Sequence, residues 1–227
     1  MAEDSLLTEA GYHRRRDTPY SYRCQGCGRC CYDKAIRVSP YELLRLARGL
    51  GSSTTEVLTR FTTEGGTTLA QRADGGCVFL NGTHCGVHRD RPFACRIYPL
   101  GWMVDGAEVE SFADLRPHPQ SEGIYGQDGT VDDHWRAEGC EPYRAAARQY
   151  AAIVWRMQAL LQAGGGQPAD LTDDAAFEPF LDVDRAVSEY CATLGRSVPA
   201  EVDAVLALHL EALSAWLDSF TPEKGSR

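Results

Sequence analysis

The chain has 227 residues, 43% of them hydrophobic, and a net charge of −9, values of a folded domain and not of a disordered acidic tail. No run approaches the roughly 18 consecutive apolar residues of a membrane span, and the polar start Met1-Ala2-Glu3-Asp4-Ser5 lacks the basic region and apolar core of a secretory signal. A cytoplasmic protein with no membrane partner is expected, in a compartment where nine cysteines mean metal or redox chemistry sooner than disulfides.

Charge is uneven along the chain. Residues 1–100 carry 14 Lys and Arg against 10 Asp and Glu, while residues 101–227 carry 9 against 22. Seven of the nine cysteines lie in the basic part, where cations can offset the surplus negative charge of thiolates around a metal. The excess is too small, and the whole chain too acidic, to indicate a nucleic-acid partner.

In chain order, residues 1–21 read as a polar leader or surface strap, with Arg14-Arg15-Arg16 as a solvated patch. Cys24-Gln25-Gly26-Cys27-Gly28-Arg29-Cys30-Cys31 follows, four thiols in eight residues. Ser39-Pro40-Tyr41-Glu42 predicts a capped helix with Leu43, Leu46, Ala47 and Leu50 on one face, ending at Gly49 and Gly51. Ser53-Thr54-Thr55-Glu56 predicts a second capping box, with Val57, Leu58 and Phe61 inward. Cys77-Val78-Phe79-Leu80 and His84-Cys85-Gly86-Val87 read as strands about an Asn81-Gly82 turn. A second hairpin is expected from Leu100–Val104 through Asp105-Gly106 to Ala107–Phe112.

Residues 113–139 show no periodicity and read as a long loop ending at Cys140. Three helices are expected beyond it. The first buries Tyr143, Ala147, Tyr150, Val154, Met157 and Leu161 and is broken by Gly164-Gly165-Gly166. The second, from Asp182, aligns Val183, Val187, Tyr190 and Leu194, and the third, opened by Pro199, aligns Val202, Leu206, His209, Leu213, Trp216 and Phe220. The fold class is α+β: a loop-rich metal-binding core with two short β-hairpins over residues 22–140, short helices packed with it, and a helical region over 141–227.

Thiolates bind zinc or iron when several converge on one ion. Cys24, Cys27 and Cys30 stand at two successive Cys-x2-Cys steps, the spacing that turns two side chains the same way. Cys31 is expected to diverge from its neighbour Cys30 and to serve a second ion, to bridge, or to react. The steps also match the opening of the bacterial ferredoxin run, but its continuation to Cys-Pro is absent, so three ligands to an iron–sulfur cluster are possible and a simple ferredoxin is not. His84 and His88 flank Cys85; each could be a ligand or a surface residue, and the surface reading is favoured for both. Cys140, before a helix, has the position that stabilises a thiolate, whereas Cys191 and His209 fall on apolar helix faces and read as core. Arg91 and Arg96 are divided between charge balance or anion binding and ordinary ion pairs.

The Cys-x2-Cys-x2-Cys-Cys start, the Ser-Pro-x-Glu helix, Cys77-Val78-Phe79-Leu80, and Cys85 leading to Arg91-Pro92-x-x-Cys95-Arg96-x-Tyr98-Pro99 together resemble the YkgJ-type cysteine-cluster family. The resemblance covers roughly residues 22–102, and Cys140 is similar to a late family cysteine. It implies a zinc- or iron-chelating protein and makes Cys77, Cys85 and Cys95 ligands beside Cys24, Cys27, Cys30, Cys31 and Cys140, with two four-coordinate sites the simplest division. A flagellin lysine methylase is similar in its cysteine segment, so an iron–sulfur-dependent enzyme acting on a protein partner is the alternative. A glycine-rich cofactor loop, a phosphate loop and a nucleophilic triad are all missing from the sequence.

Overall fold

The structure is a computed structural model that describes residues 7–163 and 180–220. The α+β class is borne out: helices and short antiparallel strand pairs make up two compact units. One unit combines Met1–Arg37 with Leu69–Pro142, the other Val38–Thr68 with Tyr143–Arg227. The Gly164–Gly166 break and the side chain of Leu161 lie outside the described residues.

In the first unit, Leu7–Arg14, Glu110–Leu115 and Leu100–Val104 form a three-stranded antiparallel sheet with Glu110–Leu115 at its centre. The expected second hairpin is present, with Trp102 opposite Phe112, but its connection runs over residues 105–109 and the left-handed residue is Glu108. The leader is structured as well. Pro19–Arg23 pairs antiparallel with Ile124–Thr130, Tyr22 facing Tyr125 and Arg23 facing Ile124.

Residues 113–139 are therefore not a long loop. They complete the Glu110–Leu115 strand, form the Ile124–Thr130 strand and fold into the helix Val131–Ala137. That helix is capped by Thr130, whose hydroxyl accepts from the Asp133 N–H at 3.1 Å while the Asp133 carboxylate accepts from the Thr130 N–H at 2.9 Å. Such a reciprocal box satisfies two orphan donors at once. The strand Ile124–Thr130 is exposed along almost its whole length, so no alternation of apolar and polar residues marks it.

The core of this unit is aromatic. Tyr20, Ile97, Leu100, Phe112, Val131 and Trp135 are buried together, with Tyr22, Phe93 and Trp102 packed on them. Arg16 lies 4.0 Å from the Trp135 ring and donates to Glu110 and Asp132, and Arg14 forks onto Asp114. All three expected surface arginines thus tie the leader to the sheet or helix, Arg15 by donating to the Glu110 carbonyl at 3.3 Å. A delocalised guanidinium suits this stacked position better than an ammonium.

In the second unit, helices Pro40–Leu50 and Thr54–Phe61 match the expected segments. The Ser39–Glu42 box is complete, and Gly51 ends the first helix at φ 63°. The second box is half formed: Ser53 accepts from the Glu56 N–H, but the Glu56 carboxylate turns to Ser52 and Arg60. The long helix Glu141–Ala163 buries Tyr143, Ala146, Tyr150, Ile153 and Met157, a face rotated from the expected Ala147 and Val154. Val183–Leu194 buries Val183, Ala186, Val187 and Cys191 and leaves Leu194 exposed. The last helix starts at Val202, after Pro199, and buries Val205, Leu206, His209, Leu213 and Leu217. Cys191 packs among Leu44, Val183, Val187 and Val205, and His209 Nδ1 is 2.7 Å from the Tyr150 hydroxyl. Both are core residues, as their helix faces suggested.

Two carboxylates lock the helices of this unit. Asp182, almost wholly buried, accepts from the hydroxyls of Thr54 and Thr55 at 2.6 Å each. Asp184 accepts from both terminal nitrogens of Arg48, at 3.0 and 2.5 Å, and from the Thr54 N–H at 2.8 Å. Burial alone would raise the Asp184 pKa, but the bonds from Arg48 and the Thr54 N–H outweigh it and hold it below the ordinary 3.8. Its stabilising contribution is then present above that value and lost as pH falls through the lower folded value. Asp184→Asn is expected to cost about 1–2 kcal/mol at pH 7, solvent screening part of the pair, and the gap from wild type should close toward pH 3. Urea unfolding across that range checks this; a gap constant with pH would count against it.

Candidate metal centre

The cysteine segment begins where the Pro19–Arg23 strand ends. Gly26 and Gly28 hold φ of 67° and 71°, left-handed values that glycine adopts without steric cost. A Cβ on Gly28 would lie 2.8 Å from the Thr83 carbonyl oxygen, so the Leu80–Cys85 hairpin sits directly on this loop. The Gly26 N–H points to Cys24 Sγ at 3.4 Å. The Cys31 N–H bonds the Gly28 carbonyl at 3.0 Å and closes the turn Arg29–Cys31.

The other cysteines are carried to this loop by backbone pairing. The Cys77 N–H donates to the Cys31 carbonyl at 2.7 Å, and Tyr32 bridges Gly76. The strand expected over Cys77–Leu80 is mostly a turn, with Leu80 N–H on the Cys77 carbonyl at 2.9 Å. Only Leu80–Asn81 and His84–Cys85 pair, so the turn is one residue later than expected, on Gly82-Thr83. Cys95 sits in the short helix Phe93–Ile97.

All nine cysteines are free thiols: Cys24 is exposed, Cys27, Cys30, Cys31, Cys77, Cys85 and Cys95 are half-buried, and Cys140 and Cys191 are buried. Five interact electrostatically as a set. Cys30, Cys95 and Cys77 bear on Cys31, and Cys30 bears on Cys77 and Cys85. Cys24 bears on Tyr22 and Cys27 on Tyr98, two tyrosines that Cys30 also reaches. These rings meet edge to face at 6.0 Å, and with Tyr125 beside Tyr22 they wall the thiols on one side. Tyr22, two residues before Cys24, was the available signal for that wall.

Cys30 and Cys31 do not diverge. Their sulfurs are 3.9 Å apart, and two sulfurs bound to one tetrahedral zinc at about 2.3 Å stand about 3.8 Å apart. The Cys31 thiol hydrogen bond lowers the Cys30 pKa to about 7 against the opposing effect of burial, helped by its own N–H, Lys34 and Arg91. Cys31 is raised in turn by that bond and by burial. Among the described residues, no three Cys, His, Asp or Glu side chains stand at ion-holding spacing. The donors nevertheless suit zinc or iron in kind, being thiols with one pair already at a tetrahedral edge.

Cys140 stands in a different setting. It is wholly buried in the aromatic core with Tyr20, Phe112 and Trp135. Burial pushes its thiol up to about 12, with Glu138 adding to the rise and Arg96, Arg91 and Arg16 opposing it.

Arg91 pairs with Glu138, donates to the His88 carbonyl at 2.6 Å, adds to the lowering of the Cys30 pKa, and opposes the rise that burial gives Cys85. It is both an ion-pair partner and a counter-charge to the thiols. Arg96 is buried and spans three backbone carbonyls, those of Arg89, Arg91 and Glu138, which makes it a clamp on the Arg-Pro element. His134, expected in a loop, is buried in a helix, with Nε2 3.4 Å from the Ile97 carbonyl and its ring edge-on to Tyr20. His88 is exposed, and Arg91 lies 3.0 Å from its Nδ1.

A family model described as CxxCxxCC, putative zinc- or iron-chelating domain, matches residues 23–141, just over half of the chain. The chain belongs to the CxxCxxCC family. The matched stretch takes in the loop at Cys24–Cys31, the Leu80–Cys85 hairpin, Cys95 and Cys140. No curated protein and no solved structure matches the chain. Among the described residues, no helix is long and apolar enough to cross a membrane.

Proposed function

We propose that this CxxCxxCC protein binds zinc or iron through the thiolates of Cys24, Cys27, Cys30, Cys31, Cys77, Cys85 and Cys95. The observation that carries this reading is the 3.9 Å separation of the Cys30 and Cys31 sulfurs within a set of free, half-buried thiols. Apolar side chains alone do not require such a pair. The ion bridges a loop and a hairpin that otherwise share only a few backbone bonds, so binding is coupled to folding of the segment. Cys140 is left to packing, because it is wholly buried in the aromatic core and the effect of burial outweighs the arginines that would favour its thiolate. Thiolates suit zinc and iron–sulfur clusters alike, and thiols kept free in this number fit the reducing cytoplasm.

Elemental analysis with an absorption spectrum on protein purified without oxygen tests the proposal. A colourless protein with stoichiometric zinc selects the zinc form; a brown one with iron and sulfide selects the cluster. Cys24→Ser with Cys27→Ser should lower metal content by at least half, whereas Cys140→Ala should leave it unchanged. Full metal retention in the double variant would sink the assignment.

A further inference from the structure

Seven thiols leave two four-coordinate ions one donor short. The histidine on the hairpin is the candidate for that donor. A Cβ built on Gly26, which lies between Cys24 and Cys27, would lie 3.5 Å from both Cδ2 and Nε2 of His84. The imidazole edge carrying Nε2 therefore faces the loop that presents Cys24 and Cys27. Its other nitrogen is already engaged: Nδ1 is 3.1 Å from the Thr83 hydroxyl. A metal-binding imidazole is usually held this way, with one nitrogen fixed by an outer hydrogen bond and the other free to coordinate.

His88 makes the comparison sharp. It is also exposed, but its Nδ1 lies 3.0 Å from the Arg91 guanidinium, which itself pairs with Glu138, so its ring is engaged in that ion pair and not with the cysteine loop. The hairpin also explains how His84 keeps its place. Thr83 rests on Gly28 so closely that no side chain fits there, and the pairing of Asn81 with His84 fixes the backbone that carries the ring.

We propose that His84 Nε2 is a nitrogen donor to the ion held by Cys24 and Cys27. The proposal rests on the thiolate reading above and adds a mixed sulfur and nitrogen site beside the all-sulfur one. Three thiolates with one imidazole are a usual complement for tetrahedral zinc, and exposure of Cys24 and His84 leaves that ion open to exchange on one side.

X-ray absorption at the K-edge of whichever metal the purified full-length chain carries decides the matter. The expected spectrum contains sulfur together with imidazole scattering, about one nitrogen for two metal ions. His84→Ala and His84→Gln should each remove the imidazole signal and weaken retention of one metal equivalent at least tenfold against a competing chelator, while His88→Ala changes neither. Far-UV circular dichroism on the metal-loaded variants reports that the fold is kept. Bound metal with an all-sulfur shell in the wild type would overturn the role of His84 and leave the thiolate reading standing. Loss of imidazole scattering in His88→Ala in place of the His84 variants would also overturn it. A chain that holds no metal would overturn both.

Discussion

A strong chelator is expected to loosen residues 24–36 and 70–96 and to leave the helices of the second unit protected. These stretches are the least able to hold themselves. Their regular structure is a pair of two-residue strands, a five-residue helix and single turns, and their buried apolar side chains are few, chiefly Phe79, Leu80 and Val87. Structural zinc contributes on the order of 10–16 kcal/mol of apparent binding energy in small thiolate sites. That is comparable with the whole stability of a domain, about 5–15 kcal/mol. The second unit draws on its own apolar core around Leu44, Val187 and Val205 and on the Asp182 and Asp184 locks. Hydrogen exchange read by mass spectrometry, with and without chelator, should show protection lost by at least a hundredfold in the cysteine segments and unchanged in Val202–Ser219. Equal loss in both, or in neither, would contradict a metal-built segment.

The aromatic core should behave in the opposite way. Trp135→Ala is expected to cost about 3–5 kcal/mol and to do so whether or not metal is present. The ring is almost fully buried and meets Phe93 at 5.4 Å, Trp102 at 5.9 Å and Phe112 at 6.0 Å. It carries the Arg16 guanidinium on its face and donates from Nε1 to Glu141 at 3.1 Å. Truncation opens a cavity, strips Arg16 of its stacking partner and leaves Glu141 without that donor. Denaturant unfolding of the metal-loaded protein measures the loss. A cost below about 1 kcal/mol would mean that the neighbours collapse into the space, and that this cluster is not what holds the sheet to the Val131–Ala137 helix.

The elements that could be read from the chain are those whose causes lie within a few residues. Ser39 with Glu42, and Pro40 after the cap, mark one helix; Gly51 ends it. The alternation through Leu100 to Phe112 marks the larger hairpin. The helix faces at Tyr143, Tyr150 and Met157 were legible, while the choice between Ala146 and Ala147 turned on a rotation too small for spacing to resolve. The Thr130–Asp133 cap was also in view but lay inside a stretch so polar that it read as loop. The candidate donors were legible too, because thiols at Cys-x2-Cys spacing are a usual metal-binding arrangement.

What could not be read depends on partners far away in the chain. Leu7 to Arg14 pairs with residues about a hundred positions later, and Pro19 to Arg23 finds an exposed strand with no alternation of its own. Arg16 became a core contact only when Trp135 was brought under it. Cys140 carried the same thiol as the others, yet the packing of Tyr20, Phe112 and Trp135 around it placed it in an apolar setting. Cys30 and Cys31, adjacent and expected to part, were turned toward one point by the Gly28 bend and the Cys31–Cys77 backbone bond. Residue types and local spacing decide which chemistry is available; long-range pairing decides which of those side chains share a site, because a few ångströms of position separate a ligand from a core residue.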